Sequence, residues 1–320
     1  MQSLFDTSAT MKRVTAAMCF VGLGLSATPA IAATKITLLY TAVNAFVGSF
    51  VAEDQGFFAE RGLDVDLSLA QNGSVISAAL VADSAQIGGP TPTVLLQANE
   101  QGLDLVVVAG TDFYPQSVSS GVLARSGSGI AGAPGLVGHK VGVPGIGGII
   151  DVLTRKWVQS SGADYRKVDW VELQFPQMGD ALKADLVDAV ASVDPFYTRI
   201  VDSKAGYPIG TYAAIIPNGT IPVVYASTRA WAVKNPEAVR NFRAALDDAT
   251  TYVANKAHLA SVRDSIAKYT KLPPQVAATL RLPDNLDAHA TAAGLRFWIG
   301  VSREQGLIKG NPDPASLVLP

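Results

Sequence analysis

Fourteen residues carry groups that could hold a small molecule: Tyr40, Asn44, Phe46, Gln71, Asn72, Gly73, Ser74, Thr91, Thr93, Tyr114, Gly147, Gln174, Asp194 and Phe196. They supply hydroxyls, amides, aromatic rings and one carboxylate, a set suited to binding rather than to bond-making. The chemistry of catalysis is thinly represented elsewhere. His139, His258 and His289 are the three histidines, and none stands at metal-ligand spacing from another. No G-x-S-x-G elbow exposes a serine. The single cysteine, Cys19, lies in the N-terminal apolar stretch. We therefore expect no metal, no cofactor and no catalysis. The glycine-rich run GVPGIGG over 142–148 also fails as a dinucleotide loop. Counting G-x-G from Gly145 puts Ile150 where the third glycine belongs, and no suitably placed acidic residue follows.

Elements must bring these residues together, and the hydrophobic pattern says which. Strands are expected over 35–40, 65–70, 84–88 and 103–109, alternating with helices over 44–53, 74–82 and 93–101. A second cycle follows the proline-containing break at 111–115. It has strands over 118–124, 141–143, 168–173 and 189–191, with helices over 149–160 and from 178. Such alternation predicts βαβ units and a mostly parallel sheet in each of two α/β lobes. The last third reads as helical. Asn235-Pro236 marks a helix start, Val239, Phe242, Leu246, Ala249 and Val253 form one apolar face, and further helices open at Pro273-Pro274 and over 288–303.

In open α/β sheets, ligands sit beyond the carboxyl ends of strands, where helix N-termini present free N–H groups. That rule selects the loops at 40–46, 71–74, 89–93 and 112–114, and at 144–148, 174–177 and 194–197. All fourteen candidates fall in them. These loops contain no Lys, Arg or His, so backbone N–H groups and the hydroxyls of Ser74, Thr91 and Thr93 would have to hold an anion. Their aromatic residues suit a planar or partly apolar solute better. Asp194 has two readings, as a partner for a ligand amine or as the cap of a following helix.

Composition sets the compartment. Lys12 and Arg13, an apolar core over 16–25 and Ala30-Ile31-Ala32 form a signal peptide over 1–32, and a start at Met11 would leave it intact. Cys19 stands at the front of that core, which argues against lipidation. Cleavage leaves 288 of 320 residues with no cysteine. Losing Lys12, Arg13 and Asp6 takes 25 basic and 27 acidic residues to 23 and 26, a net charge of −3. No basic field remains to hold nucleic acid.

The stretch EDQGFFAERGLDVDLSL over 53–69 resembles the opening of periplasmic solute-binding proteins of ABC importers. Further matching pieces are Ala85-Gln86-Ile87-Gly88, Gly102-Leu103, LVGHKVGV over 136–143, Val187-Asp188-Ala189 with Asp194-Pro195, Asn235-Pro236-Glu237 and Gly306-Leu307-Ile308. Together they are similar to the branch that binds nitrate, sulfonates, taurine or thiamine-precursor pyrimidines. His139 and Gln86 depart from the lysine and aspartate usual there. The resemblance implies a type II-like two-lobed fold, with lobe I over 33–113 and 222–320 and lobe II over 114–221. It implies a monomer in the periplasm that closes on a solute and docks on the transmembrane subunits of a permease. A binding protein reporting to a sensor would use the same cleft. Pyrimidine-synthesising enzymes share this fold, but their cysteine-rich motif has no counterpart here.

Overall fold

The computed structural model describes residues 33–112, 120–279, 282–283 and 286–320. The signal-peptide expectation for 1–32 and the candidate Tyr114 lie outside the described residues. Residues 33–320 group as one unit by their internal contacts.

The strands are β1 (Thr34–Tyr40), β2 (Leu63–Leu69), β3 (Ile87–Gly88), β4 (Leu105–Gly110), β5 (Ser120–Arg125), β6 (Lys140–Val143), β7 (Asp169–Glu172), β8 (Ala189–Val193), β9 (Gly206–Gly210) and β10 (Val224–Thr228). They form two five-stranded sheets, ordered β2-β1-β3-β10-β4 and β7-β6-β8-β5-β9. In the first, β2 and β3 run parallel to β1, while β10 is antiparallel to both β3 and β4. In the second, β7 and β8 run parallel to β6, while β5 is antiparallel to β8 and β9. Each sheet is thus parallel apart from one strand. Those two strands, β5 and β10, are the first after each passage of the chain from one sheet to the other.

The helices are α1 (Val47–Asp54), α2 (Gly73–Val81), α3 (Pro92–Glu100), α4 (Ile149–Ser160), α5 (Met178–Lys183), α6 (Phe196–Asp202), α7 (Arg229–Lys234), α8 (Pro236–Ala254), α9 (Leu259–Thr270), α10 (Pro274–Ala277) and α11 (Ala292–Glu304). None of these is long and apolar enough to cross a membrane. Helix α8 buries Val239, Phe242, Leu246, Ala249 and Val253, the face its spacing defines. Phe242 stacks on Phe58 at 5.3 Å, which explains the Phe57-Phe58 pair: its second ring enters the core of the first sheet. Full burial of each such ring contributes roughly 1.5–3 kcal/mol.

The exposed edge of the first sheet is covered. Val318 bridges to Val107 and the Leu319 N–H donates to the Val107 carbonyl at 3.0 Å, so the C-terminal segment pairs β4 where it would otherwise be open. Behind the cavity, α3 and α11 of the first sheet pack with α4 of the second into a shared core. Lys156 Nζ meets Glu304 at 2.7 Å and Gln305 Nε2 donates to the Val152 carbonyl at 2.8 Å across that seam.

Several local expectations change. Helix α2 is capped by Asn72, whose Oδ1 accepts from the Val75 N–H at 3.0 Å, rather than by Ser74. Asn235 makes no side-chain cap for α8; its Nδ2 donates to the Trp231 carbonyl and so finishes α7. Helix α11 begins at Ala292 under a Thr291 cap, four residues later than the pattern suggests. Leu69, the last residue of β2, is 42% exposed and lines the cavity. Strands β9 and β10 and helices α7 and α9 have no counterpart in the sequence reading.

Candidate functional site

Between the sheets lies a cavity of about 370 Å³, within the usual range for small-molecule sites. Its walls come from the loops after β1, β2, β3 and β4 on one side and after β6, β7 and β8 on the other. These are the carboxyl ends of the strands, as the sheet geometry requires. The return passage adds Pro222 and Val223, and Pro283 completes the lining.

Eight candidates line this cavity. Asn44 comes from the turn after β1, Gln71, Asn72, Gly73 and Ser74 from the start of α2, and Thr91 from the start of α3. Gln174 and Asp194 face them from the ends of β7 and β8. Five others stand off the wall. Tyr40 is 3% exposed, its hydroxyl donating to the Tyr269 carbonyl at 2.9 Å and its ring edge-on to Phe50. Phe46 is fully buried against Tyr225 and under Gly89, where an added Cβ would come within 2.1 Å of the Phe46 ring. Thr93 is buried inside α3, 3.2 Å from the Thr91 hydroxyl. Phe196 is 4% exposed and stacks behind Phe175 at 5.6 Å.

Gly147 also stands behind the lining and acts through its backbone. Its N–H donates to Asp151 Oδ2 at 2.8 Å, and its carbonyl accepts from Gln97 Nε2 at 2.9 Å. Asp151 is 1% exposed; burial pushes its carboxyl up, opposed by the Arg155 and Gly147 hydrogen bonds. Arg155 Nε donates to Asp151 at 2.6 Å, and its guanidinium lies 5.1 Å from the Trp170 ring. This chain of contacts holds the 144–148 loop from both sides of the cavity.

A second contact spans the mouth. Asn72 Nδ2 donates to Glu172 Oε1 at 3.2 Å, and Glu172 Oε2 accepts from the Ile146 N–H at 3.4 Å. Glu172 therefore ties the α2 start to the β6–α4 loop. Asp194 Oδ1 accepts from the Thr198 N–H at 3.1 Å and the Thr198 hydroxyl at 2.6 Å, so the capping reading of this residue describes a contact it makes.

Sequence reasoning missed lining residues of two kinds. Glu172 ends a strand on its exposed face, a signal that could have been read. Pro222, Val223 and Pro283 arrive by the return crossing, and no local pattern marks them. Three lining residues are carboxylates, Asp112, Glu172 and Asp194, and no described lining residue is Lys, Arg or His.

Two sheets of this order with a cavity between them define the two-lobed architecture of periplasmic binding proteins. The chain belongs to the NMT1/THI5-like family, whose model matches residues 44–259. Proteins of Brucella abortus (strain 2308) and Brucella suis biovar 1 (strain 1330), each named as a binding protein, are 25% identical to it over 204 residues. That match covers 63% of this chain and 61% of each relative, under two thirds of their length. Among solved structures, the periplasmic aliphatic sulphonate binding protein SsuA from Escherichia coli superposes with a TM-score of 0.73 at 18% identity, over 89% of this chain and 97% of its own. The alkanesulfonate-binding protein SsuA from Xanthomonas axonopodis pv. citri, bound to MOPS, gives 0.76 at 19% over 89% and 98%. The periplasmic nitrate-binding protein NrtA from Synechocystis PCC 6803 gives 0.75 at 14% over 88% and 84%. At these identities the likeness establishes the fold.

Proposed function

We propose that this chain captures a small organic solute in the periplasm and delivers it to an ABC-type permease, making and breaking no bond. The observation that carries this reading is the cavity, walled by the carboxyl ends of strands from both sheets. Lobe I would comprise 33–113 with 222–320 and lobe II 114–221, after removal of 1–32 as a signal peptide, and the protein would act as a monomer. Binding would draw the lobes together, with Asn72–Glu172 and Gln97–Gly147 as the contacts that form on closure. The apolar share of the lining, including Val43, Leu69, Val94, Ile146 and Phe175, favours a partly apolar solute.

The test is a thermal-shift screen of small organic solutes, followed by small-angle scattering with each hit. A ligand at 100 times its dissociation constant stabilises by ~2.7 kcal/mol, or about 5–10 °C at ~2–4 °C per kcal/mol. A hit should also shrink the radius of gyration and be recovered unchanged. A screen without hits, or conversion of a bound compound, would sink the proposal.

A further inference from the structure

We infer that the solute is a carboxamide on an apolar body, its amide paired with Asn44 and its body lying between Leu69 and Ile146, an inference that rests on the binding reading above. Asn44 lines the cavity and is 3% exposed, yet neither its amide nitrogen nor its amide oxygen has a hydrogen-bond partner among the described residues. Two other described polar lining residues are as deeply buried, Asp112 and Asp194. Both are engaged: Asp112 Oδ1 accepts from the Thr111 hydroxyl at 2.9 Å, and Asp194 Oδ1 accepts from the Thr198 hydroxyl at 2.6 Å. Asn44 is therefore the deep polar group that the fold leaves for a solute to pair.

A solute that fills the cavity keeps water from this amide and has to make its bonds instead, because a buried amide left unpaired is costly. The amide nitrogen only donates and the amide oxygen only accepts. The matching group must offer an acceptor and a donor side by side. A carboxamide does so in one plane: its carbonyl accepts from Asn44 Nδ2 while its N–H donates to Asn44 Oδ1. A second, independent observation orients the rest of the molecule. Leu69 is 42% exposed and Ile146 47%, and they line the same cavity from opposite sheets. An apolar body passing between two such side chains covers both. The polar head thus lies deep and the body points to the mouth.

Two isosteric pairs test this: benzamide with acetophenone, and hexanamide with 2-heptanone. In each, the ketone keeps the carbonyl and the body but carries a methyl group in place of the amide nitrogen, so it accepts from Asn44 and cannot donate to it. Isothermal titration of the purified protein should show at least one amide binding about tenfold or more tighter than its ketone. Asn44→Leu and Asn44→Ala should each bring that ratio to within about twofold, by weakening the amide. Ile146→Ala alters the wall beside the body instead. It should weaken amide and ketone alike, by about two- to fivefold, and leave their ratio intact. Ketones that match both amides, a preference that survives in a folded Asn44 variant, or an Ile146→Ala loss confined to the amide overturns the inference. So does the absence of binding by both amides, and if the broad screen still finds a ligand, the binding function stands without it.

Discussion

Asn72 serves two structures through its two amide atoms, and substitutions can separate them. Oδ1 caps α2 at 3.0 Å from the Val75 N–H, while Nδ2 reaches across the mouth to Glu172 at 3.2 Å. Asn72→Ala removes both. Loss of an N-cap costs ~1 kcal/mol within a range of about 0.5–2, so the unliganded melting temperature should fall by about 2–4 °C. Asn72→Ser retains a cap oxygen but is too short to reach Glu172, so its melting temperature should stay within about 1 °C of the parent. The lost bridge is exposed and ends on a carboxylate, so its net worth is about 0.5–1 kcal/mol, below that of a buried charged pair. Because it joins the two sides of the cavity, the loss should fall on the closed, liganded state. Ligand affinity should therefore drop about two- to fivefold in both variants. Calorimetric melting without ligand and titration with a hit from the screen read the two effects apart. The decisive control is the full cycle with Glu172→Ala, in which the loss in the double variant should fall short of the sum of the two single losses by about the worth of the bridge. Unchanged affinity in Asn72→Ser, or fully additive losses in the double variant, would refute the idea of a contact that forms on closure.

Other substitutions probe the remaining wall. Asn44→Leu exchanges an unpaired buried amide for an apolar group of similar volume, so it should raise unliganded stability by about 1–3 kcal/mol while weakening binding at least tenfold; a fall in denaturant midpoint would show the amide to be structural. Phe196→Ala should cost roughly 3–5 kcal/mol in urea unfolding, as expected for truncating a buried ring. Phe175→Ala, on the cavity side of the same stack, should act more on affinity than on stability, and the reverse order would show the two rings assigned wrongly. Tyr40 is held up to about 12 from 10.0, first by burial and then by Tyr269. Its contribution is complete below pH 10, where the unfolded tyrosine is still protonated, and is lost as pH rises towards 12. Tyr40→Phe should therefore shrink the loss of melting temperature between pH 10 and 12 and leave ligand affinity unchanged; an identical alkaline slope would contradict this.

The alternation of strand and helix was legible because it is a local property. Helix α4 over 149–160 and the start of α5 at Met178 fall where periodicity puts them, and the apolar stripe of α8 is the one its sequence spells out. The loops at the cavity were legible for a related reason: a parallel sheet sends its carboxyl ends to one side, so naming the strands names the loops. Side-chain direction inside those loops was not. Tyr40 and Asn44 stand four residues apart in one strand-to-helix connection, yet the first hydrogen-bonds α9 and the second lines the cavity. Thr91 and Thr93 divide the same way, because Pro92 opens the helix between them. Caps behaved similarly: Asn72, Ser74 and Asn235 are all good capping types, and backbone geometry alone decided which one caps.

The chain by itself determined an α/β protein with two cycles, candidate loops free of Lys, Arg and His, and a single cysteine confined to the N-terminal apolar stretch. Each of these follows from composition or short-range spacing. The tertiary structure decided which loop residues reach the cavity, that β5 and β10 run against their neighbours, and that Glu172 bridges Asn72 and Ile146. Most of these depend on contacts between segments far apart in sequence, as in the Asn72–Glu172 pair and the Ala226–Gly88 pairing of β10 with β3. A short window of sequence holds only one side of such a contact, and the packing of the two sheets supplies the other.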